Sequence, residues 1–269
     1  MKAEQSIEFI KKIASKKVIN VAFSGGKDSI VLLDLVRKAN VPYNAFYSNT
    51  TIDPPGTIKF IKEYYSDVEI KQPKKSFYQL IHSKGLPTRM ARFCCEYLKE
   101  NASIGKEMLD GTRRGEGNKR GKYTPEDCDT RKWMKGAKHI RPIVYWTDKD
   151  VWDHIKDNSL PYLKYYDAPY CFKRHGCVGC PLSSTPQRIK GYQTFPRYFE
   201  ATIKAIRKHM ELKPDLKIAR SFNDEYEAFH WWLSFLTINR YCELRDNSLF
   251  PIDDHKKLIE SVIYKNNKA

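Results

Sequence analysis

The sequence lacks any long hydrophobic run. Nothing in its 269 residues approaches the ~18 apolar residues that a membrane-spanning helix needs, so no membrane partner is expected. The opening Met1-Lys-Ala-Glu-Gln-Ser has no apolar signal-peptide core, which makes a cytoplasmic location the expectation. Internal repeats and low-complexity tracts are also missing, and the length allows one large core or one domain plus an appendage. Acidic residues are in deficit: Asp and Glu number 32 against 48 Lys and Arg, a net charge of +16. That excess suits an anionic partner, either a nucleotide, a nucleic acid or both, although a lysine-rich proteome gives the same balance. Seven cysteines in a cytoplasmic protein argue against a disulfide framework and for metal or redox chemistry.

What the sequence does contain is organised around residues 18–30, Val-Ile-Asn-Val-Ala-Phe-Ser-Gly-Gly-Lys-Asp-Ser-Ile. The β-branched run Val18, Ile19, Val21 and Phe23 predicts a short buried strand. It breaks at Ser24-Gly25-Gly26, and Asp28 and Ser29 open a helix whose apolar positions include Ile30, Leu33, Leu35 and Val36. A strand that turns through two glycines into a helix aims backbone N–H groups and a positive dipole end at one spot, which favours an anion. Lys27 adds a mobile charge, and Ser24 and Ser29 add hydroxyls. The string Ser24 to Ser29 resembles the PP-loop of the ATP-pyrophosphatase superfamily, whose members split ATP between the α and β phosphates and leave an adenylylated substrate. The Walker spacing is absent.

Elsewhere the pattern alternates. A lead-in helix is expected over residues 4–16, a strand at Tyr43–Ser48, a helix at Thr57–Tyr65 and a strand at Val68–Ile70. A helix is expected at Ser76–Ser83, another opening near Cys94, and a strand at 104–109. The fold class is therefore α/β, a doubly wound, mostly parallel sheet with a helical C-terminal appendage. The expected domains are residues 1–185, carrying nucleotide and cysteine sites, and residues 186–269. Ligands in such sheets sit beyond the carboxyl ends of the strands, which brings in Thr50, Thr51 and Asp53 of the turn after the second strand. It also brings in Gly111, Arg113 and Arg114 of the turn after residue 109, where guanidiniums suit phosphate or sulfate. Residues 115–138 are basic and poor in apolar side chains, and read equally well as a mobile cover over an anionic ligand or as a disordered insertion. Thr147 is a helix cap with Asp150 as its partner. The C-terminal third carries three helix-like stretches, near 186–211, 222–240 and 251–265, with Trp231 and Trp232 central.

The cysteines fall in a telling arrangement. Cys94 and Cys95 are adjacent, 81 residues precede Cys177, and Cys177-Val-Gly-Cys180 forms a knuckle. Four thiolates suit zinc or an iron–sulfur cluster. Adjacent cysteines diverge by about 100° on a helix, which favours the wider cluster over a closed zinc site. This Cys-Cys…Cys-x-x-Cys signature, the run Pro142-Ile-x-x-Trp-Thr-x-x-Asp-Val-Trp152, Leu160-Pro-Tyr162 and Gly111-x-Arg113 with Glu116 resemble the phosphoadenylyl-sulfate (PAPS) reductase family over about residues 15–185.

The resemblance implies a four-iron, four-sulfur cluster (4Fe-4S) on Cys94, Cys95, Cys177 and Cys180 near an adenine nucleotide. Two features depart from the reductases of that family. The Ser24–Ser29 loop is intact where theirs is degraded, and no Glu-Cys-Gly-(x)-His tail follows Cys242. An intact loop with a cluster resembles the ATP-dependent thiolation branch, such as DNA phosphorothioation proteins and cluster-bearing tRNA thiolases.

The leading expectation is an enzyme using ATP with Mg²⁺, adenylylating a substrate and assisting sulfur transfer. Lys27, Asp28, Arg113 and Arg114 would be catalytic, with Asp28 the nearest Mg²⁺ ligand. Ser24, Gly25, Gly26, Lys27, Asp28, Ser29, Thr50, Thr51, Asp53, Gly111 and Arg113 would bind nucleotide. Expected partners are tRNA or DNA and a sulfur or electron donor protein, with a homo-oligomer left open. Cys128, Cys171 and Cys242 are candidate carriers. The alternatives are a thiol-dependent reductase of adenylyl sulfate or PAPS that releases sulfite, and a non-catalytic nucleotide- or nucleic-acid-binding module with a structural metal.

Overall fold

A computed structural model describes residues 2–15, 17–249 and 251–265. Packing divides the chain into two compact units. One comprises residues 1–49, 55–73 and 99–176, and the other residues 50–54, 74–98 and 177–269. This division differs from a single boundary near residue 185. Both cysteine pairs pack with the C-terminal helices, because two short excursions of the α/β half, 50–54 and 74–98, are built into the helical unit.

The first unit is a six-stranded sheet of order β3-β2-β1-β4-β6-β5. Its strands are β1 (Ile19–Phe23), β2 (Tyr43–Ser48), β3 (Glu69–Lys71), β4 (Glu107–Leu109), β5 (Glu126–Cys128) and β6 (Lys138–Ile140). All neighbours are parallel except β5 against β6. β1 pairs with β2 along its whole length, Ile19 opposite Tyr43 to Phe23 opposite Tyr47. Its helices are α1 (Lys2–Ala14), α2 (Lys27–Ala39), α3 (Thr57–Tyr64) and α5 (Asp148–Asp157), with α4 (Phe77–Lys84) in the other unit. Ile30, Val31, Leu32, Leu33, Leu35 and Val36 of α2 are all fully buried. These apolar positions lie inside because α2 packs against β1, α1 and α5. Thr147 caps α5, accepting from the Asp150 amide at 3.1 Å while the Asp150 carboxylate accepts from the Thr147 amide.

The basic segment 115–138 has local structure of its own. It holds tight turns, the edge strand β5 and the buried Met134 and Ala137. Ion pairs tie it down: Arg131 pairs with Asp129 and with Glu100 before the segment, Lys138 with Glu126, and Asp127 with Arg141 just after it.

The second unit is built from α4 (Phe77–Lys84), α6 (Thr185–Thr194), α7 (Pro196–Leu212), α8 (Lys217–Ser221), α9 (Glu225–Ser234), α10 (Ile238–Asp246) and α11 (His255–Ile263). α7 packs on α4 and α9, and α11 on α6 and α9. Its core is aromatic, with Phe199 and Phe229 centroids 5.2 Å apart and Tyr192 5.4 Å from Phe229. Trp231 and Trp232 are buried in it, their indole N–H groups donating to the Leu236 and Pro87 carbonyls. They are core residues rather than a surface for stacking bases. No helix of the described residues is long and apolar enough to cross a membrane.

Candidate functional site

β1 and β4 are neighbours in the sheet, while the chain runs from β1 outward to β2 and returns later to β4 on the other side. This is the switch point where open sheets place ligands. The turn after β1 is fixed by its own serines. The Ser29 hydroxyl accepts from the Ser24 amide at 3.1 Å and donates to the Gly26 carbonyl at 2.8 Å, and Ser24 Oγ accepts from the Gly26 amide at 3.3 Å. Gly25 sits at φ +73°, a conformation that side chains resist. After β4 the chain passes so close to this turn that a Cβ on Gly111 would lie 2.8 Å from the Asp28 carbonyl oxygen. Close approach of two backbones explains that glycine.

A compact charge network lies on the turn. Lys27 and Arg113 are each only 3 % exposed. Lys27 Nζ lies 3.2 Å from Asp148 and 3.7 Å from Asp28, and donates to the Lys173 carbonyl at 3.2 Å. Arg113 binds Asp28 through Nε, Asp148 at 2.9 Å and the Trp146 carbonyl at 3.3 Å. Burial pushes the Asp28 carboxyl above its ordinary value against the pull of Lys27 and Arg113. Burial would raise Asp148 too, but Lys27 and Arg113 outweigh it and hold that carboxyl low. Asp148 is 64 % exposed and forms the outer edge of the network.

The turn is covered rather than open. The Tyr166 hydroxyl accepts from the Lys27 amide at 3.0 Å and from the His175 amide at 3.3 Å. Burial raises its pKa, so the phenol stays neutral and occupies a position to which an anion's oxygen could be drawn.

The four paired cysteines gather in the second unit. Cys95 opens one turn of π-helix, Cys95–Glu100. The Cys94 thiol is pushed far up by its hydrogen bond with Cys95, by burial, and by the nearby Cys95, Cys177 and Cys180. The knuckle is held from both sides. The Val178 amide donates to the Ile52 carbonyl at 2.8 Å, and Cys177 Sγ donates to Thr50 Oγ1 at 3.5 Å. A Cβ on Gly179, at φ +71°, would lie 2.0 Å from the Tyr192 hydroxyl of α6. Among the described residues no set of three or more His, Cys, Asp and Glu is arranged to hold a single metal ion. The donors are all thiols, a set that suits a soft metal or an iron–sulfur centre.

Residues 18–183 match the model of the phosphoadenosine phosphosulfate reductase domain. The chain belongs to that family. It is 29 % identical over 202 residues to an uncharacterized protein of Methanocaldococcus jannaschii, covering 71 % of this chain and 48 % of the relative. It is 30 % identical over 171 residues to an adenosine 5′-phosphosulfate reductase of Oceanobacillus iheyensis, covering 59 % of this chain and 69 % of that enzyme. A phosphoadenylyl-sulfate reductase structure from Candida auris, in a phosphate complex, aligns with TM-score 0.49 and 16 % identity over 64 % of this chain and 88 % of that one. The chain spans about half the length of the two Methanocaldococcus relatives it matches, 48 % and 45 %.

In this PAPS reductase family member, the residues expected to bind nucleotide divide between the units. Ser24, Gly25, Gly26, Lys27, Asp28, Ser29, Gly111 and Arg113 come together in the first. Thr50, Thr51 and Asp53 belong to the second. There Thr50 meets Cys177, Thr51 Oγ1 accepts from the Phe77 amide at 2.9 Å, and the Asp53 carbonyl accepts from Tyr198. Arg113 is engaged by carboxylates rather than reaching outward. Arg114 stacks 4.6 Å over Tyr145 and donates to the Tyr123 carbonyl.

Sequence reasoning missed Asp148, Tyr166 and the Lys173 carbonyl. Asp148 had a signal, as the first helical residue after a Thr cap in the segment that resembles the family. Tyr166 had none, since its role depends on a fold-back over 139 residues.

Proposed function

We propose that this chain is an AMP-forming enzyme that adenylylates an oxygen of its substrate at the Ser24–Ser29 turn and assists replacement of that oxygen by sulfur. The observation that carries the reading is the intact turn with Lys27 buried and aimed between Asp28 and Asp148. In the first step the acceptor oxygen attacks the α-phosphorus, the bond to the β-phosphate oxygen breaks, and pyrophosphate leaves. Lys27 and the first-turn amides of α2 would stabilise the charge gathering on pyrophosphate. Asp28 would hold Mg²⁺ on the phosphates. Arg113 acts through Asp28 and Asp148, which it orients. In the second step sulfide attacks the carbon bearing the adenylyl oxygen, the carbon–oxygen bond breaks, and AMP departs with that oxygen.

Cys94, Cys95, Cys177 and Cys180 would hold a four-iron cluster, which when bound would pass electrons. The basic charge suits tRNA or DNA as acceptor by phosphate contact. The experiment is a count of AMP and pyrophosphate formed from ATP by anaerobically prepared protein with Mg²⁺, a sulfide donor, and tRNA or DNA. AMP formation that K27A lowers by about 10²–10³-fold is the expected result. Absence of AMP with every acceptor contradicts the reading.

Similarity to adenosine 5′-phosphosulfate reductases favours a second reading, reduction of adenylyl sulfate or PAPS to sulfite. Sulfite release from adenylyl sulfate that is indifferent to ATP would select it.

A further inference from the structure

Arg188, on the first turns of α6, is 1 % exposed, and among the described residues no carboxylate forms an ion pair with it. Its Nε donates to the Gly179 carbonyl at 3.2 Å and its Nη1 to the Trp232 carbonyl at 2.6 Å, and Nη2 has no hydrogen-bond partner. The guanidinium lies 4.0 Å over the Trp232 ring, which offsets part of the cost of burying a cation but does not neutralise it. A second arginine grips the same backbone. Arg89 donates to the Pro181 carbonyl at 3.1 Å and to the Ser183 carbonyl at 3.5 Å, with its guanidinium 3.9 Å over Phe235. Arg188 lies 5.3 Å over the same ring. Two cations with no carboxylate between them thus hold residues 179–183, the segment that carries Cys180.

Buried charges in folded proteins are paired or sit beside a metal centre. Here the anion on offer is the thiolate set. We propose that Arg188, with Arg89 at its outer edge, is the counter-charge of an anionic centre on Cys94, Cys95, Cys177 and Cys180. This rests on the reading of those cysteines as iron–sulfur ligands. Arg188 is a positioning residue: it touches the knuckle backbone, and its charge favours whichever state of the centre is more negative. Burial lowers its own pKa to about 10, which leaves it charged at neutral pH. Reduction adds an electron, so the arginines raise the reduction potential.

The test is a dithionite titration, followed by electron paramagnetic resonance, of the full chain reconstituted anaerobically with iron and sulfide, comparing wild type, R188Q and R89Q. R188Q is expected to make reduction about tenfold less favourable, a fall of about 59 mV for one electron, at unchanged iron content. R89Q should shift the potential in the same direction by less. Equal potentials in all three overturn the assignment. Should R188Q fail to fold, R89Q alone decides: a lowered potential supports the proposal and an unchanged one overturns it. A wild-type protein that takes up no iron–sulfur cluster removes the underlying reading and this inference together. A brown wild type with unmoved potentials in the variants removes only the role of the arginines.

Discussion

The two regions proposed to carry chemistry treat buried charge in opposite ways. At the glycine turn the cations Lys27 and Arg113 are matched by Asp28 and Asp148, so the site is balanced before any ligand arrives. At the cysteine knuckle Arg188 and Arg89 bind, among the described residues, only carbonyls and aromatic faces. A balanced network suits a site that must accept and release a polyanion with its metal. A region left positive suits a resident anion. The same residue type, a buried arginine, therefore means different things in the two places, and its partners decide which.

Substitution can break that contrast directly. R113A leaves Asp28 buried without its guanidinium and should cost about 3–5 kcal/mol of stability, read by urea unfolding. R188Q in the metal-free protein removes a charge that has no carboxylate, and should cost under about 2 kcal/mol. Equal losses would erase the distinction. G179A must find room against Tyr192 at a left-handed backbone position, and should cost about 1–3 kcal/mol along with much of the iron retained after gel filtration. A freely tolerated alanine would mean that α6 does not hold the knuckle.

Y166F tests the cover over the turn. Losing the hydroxyl strips the Lys27 amide of a partner and should destabilise the ligand-free protein by about 1 kcal/mol. A phosphate that takes the vacated position should then bind about fivefold tighter, measured by calorimetry with a non-hydrolysable ATP analogue. Weaker binding would make Tyr166 part of the nucleotide site instead. The smallest effect expected is a pH dependence at His139. Its hydrogen bond to Asp110 comes first among the causes that raise its pKa above 6.5, with Asp129 also contributing. A raised histidine adds stability that is fully present below pH 6.5 and fades as pH climbs through its folded value. H139Q should flatten the stability profile in that range, and an unchanged slope would contradict the assignment.

Much of this was legible in the sequence because local rules and the fold agree. The run Val18 to Ile30 has strand, glycine turn and helix in an order that only a βα unit satisfies, and the Tyr43–Ser48 strand carries apolar residues on β-favouring positions. Thr147 with Asp150 marked the start of α5. What stayed hidden depended on pairing at a distance. The acids Asp127 and Asp129 tie down a segment that reads as basic and loose, β6 is three residues long, and the Cys95 turn widens to a π-helix. Thr50 faces Cys177 because residues 50–54 pack with the helices, which no local pattern announces. Trp231 and Trp232 stand central in a helix-like stretch, but the carbonyls of Leu236 and Pro87 that receive their indole N–H groups are brought there by the fold.

The most direct test is a count of metal and sulfide on protein purified without oxygen, taken with its visible spectrum. The account predicts a brown protein with about four iron and four sulfide per chain, and loss of both in C180S. A colourless protein holding one zinc, or none, would contradict it.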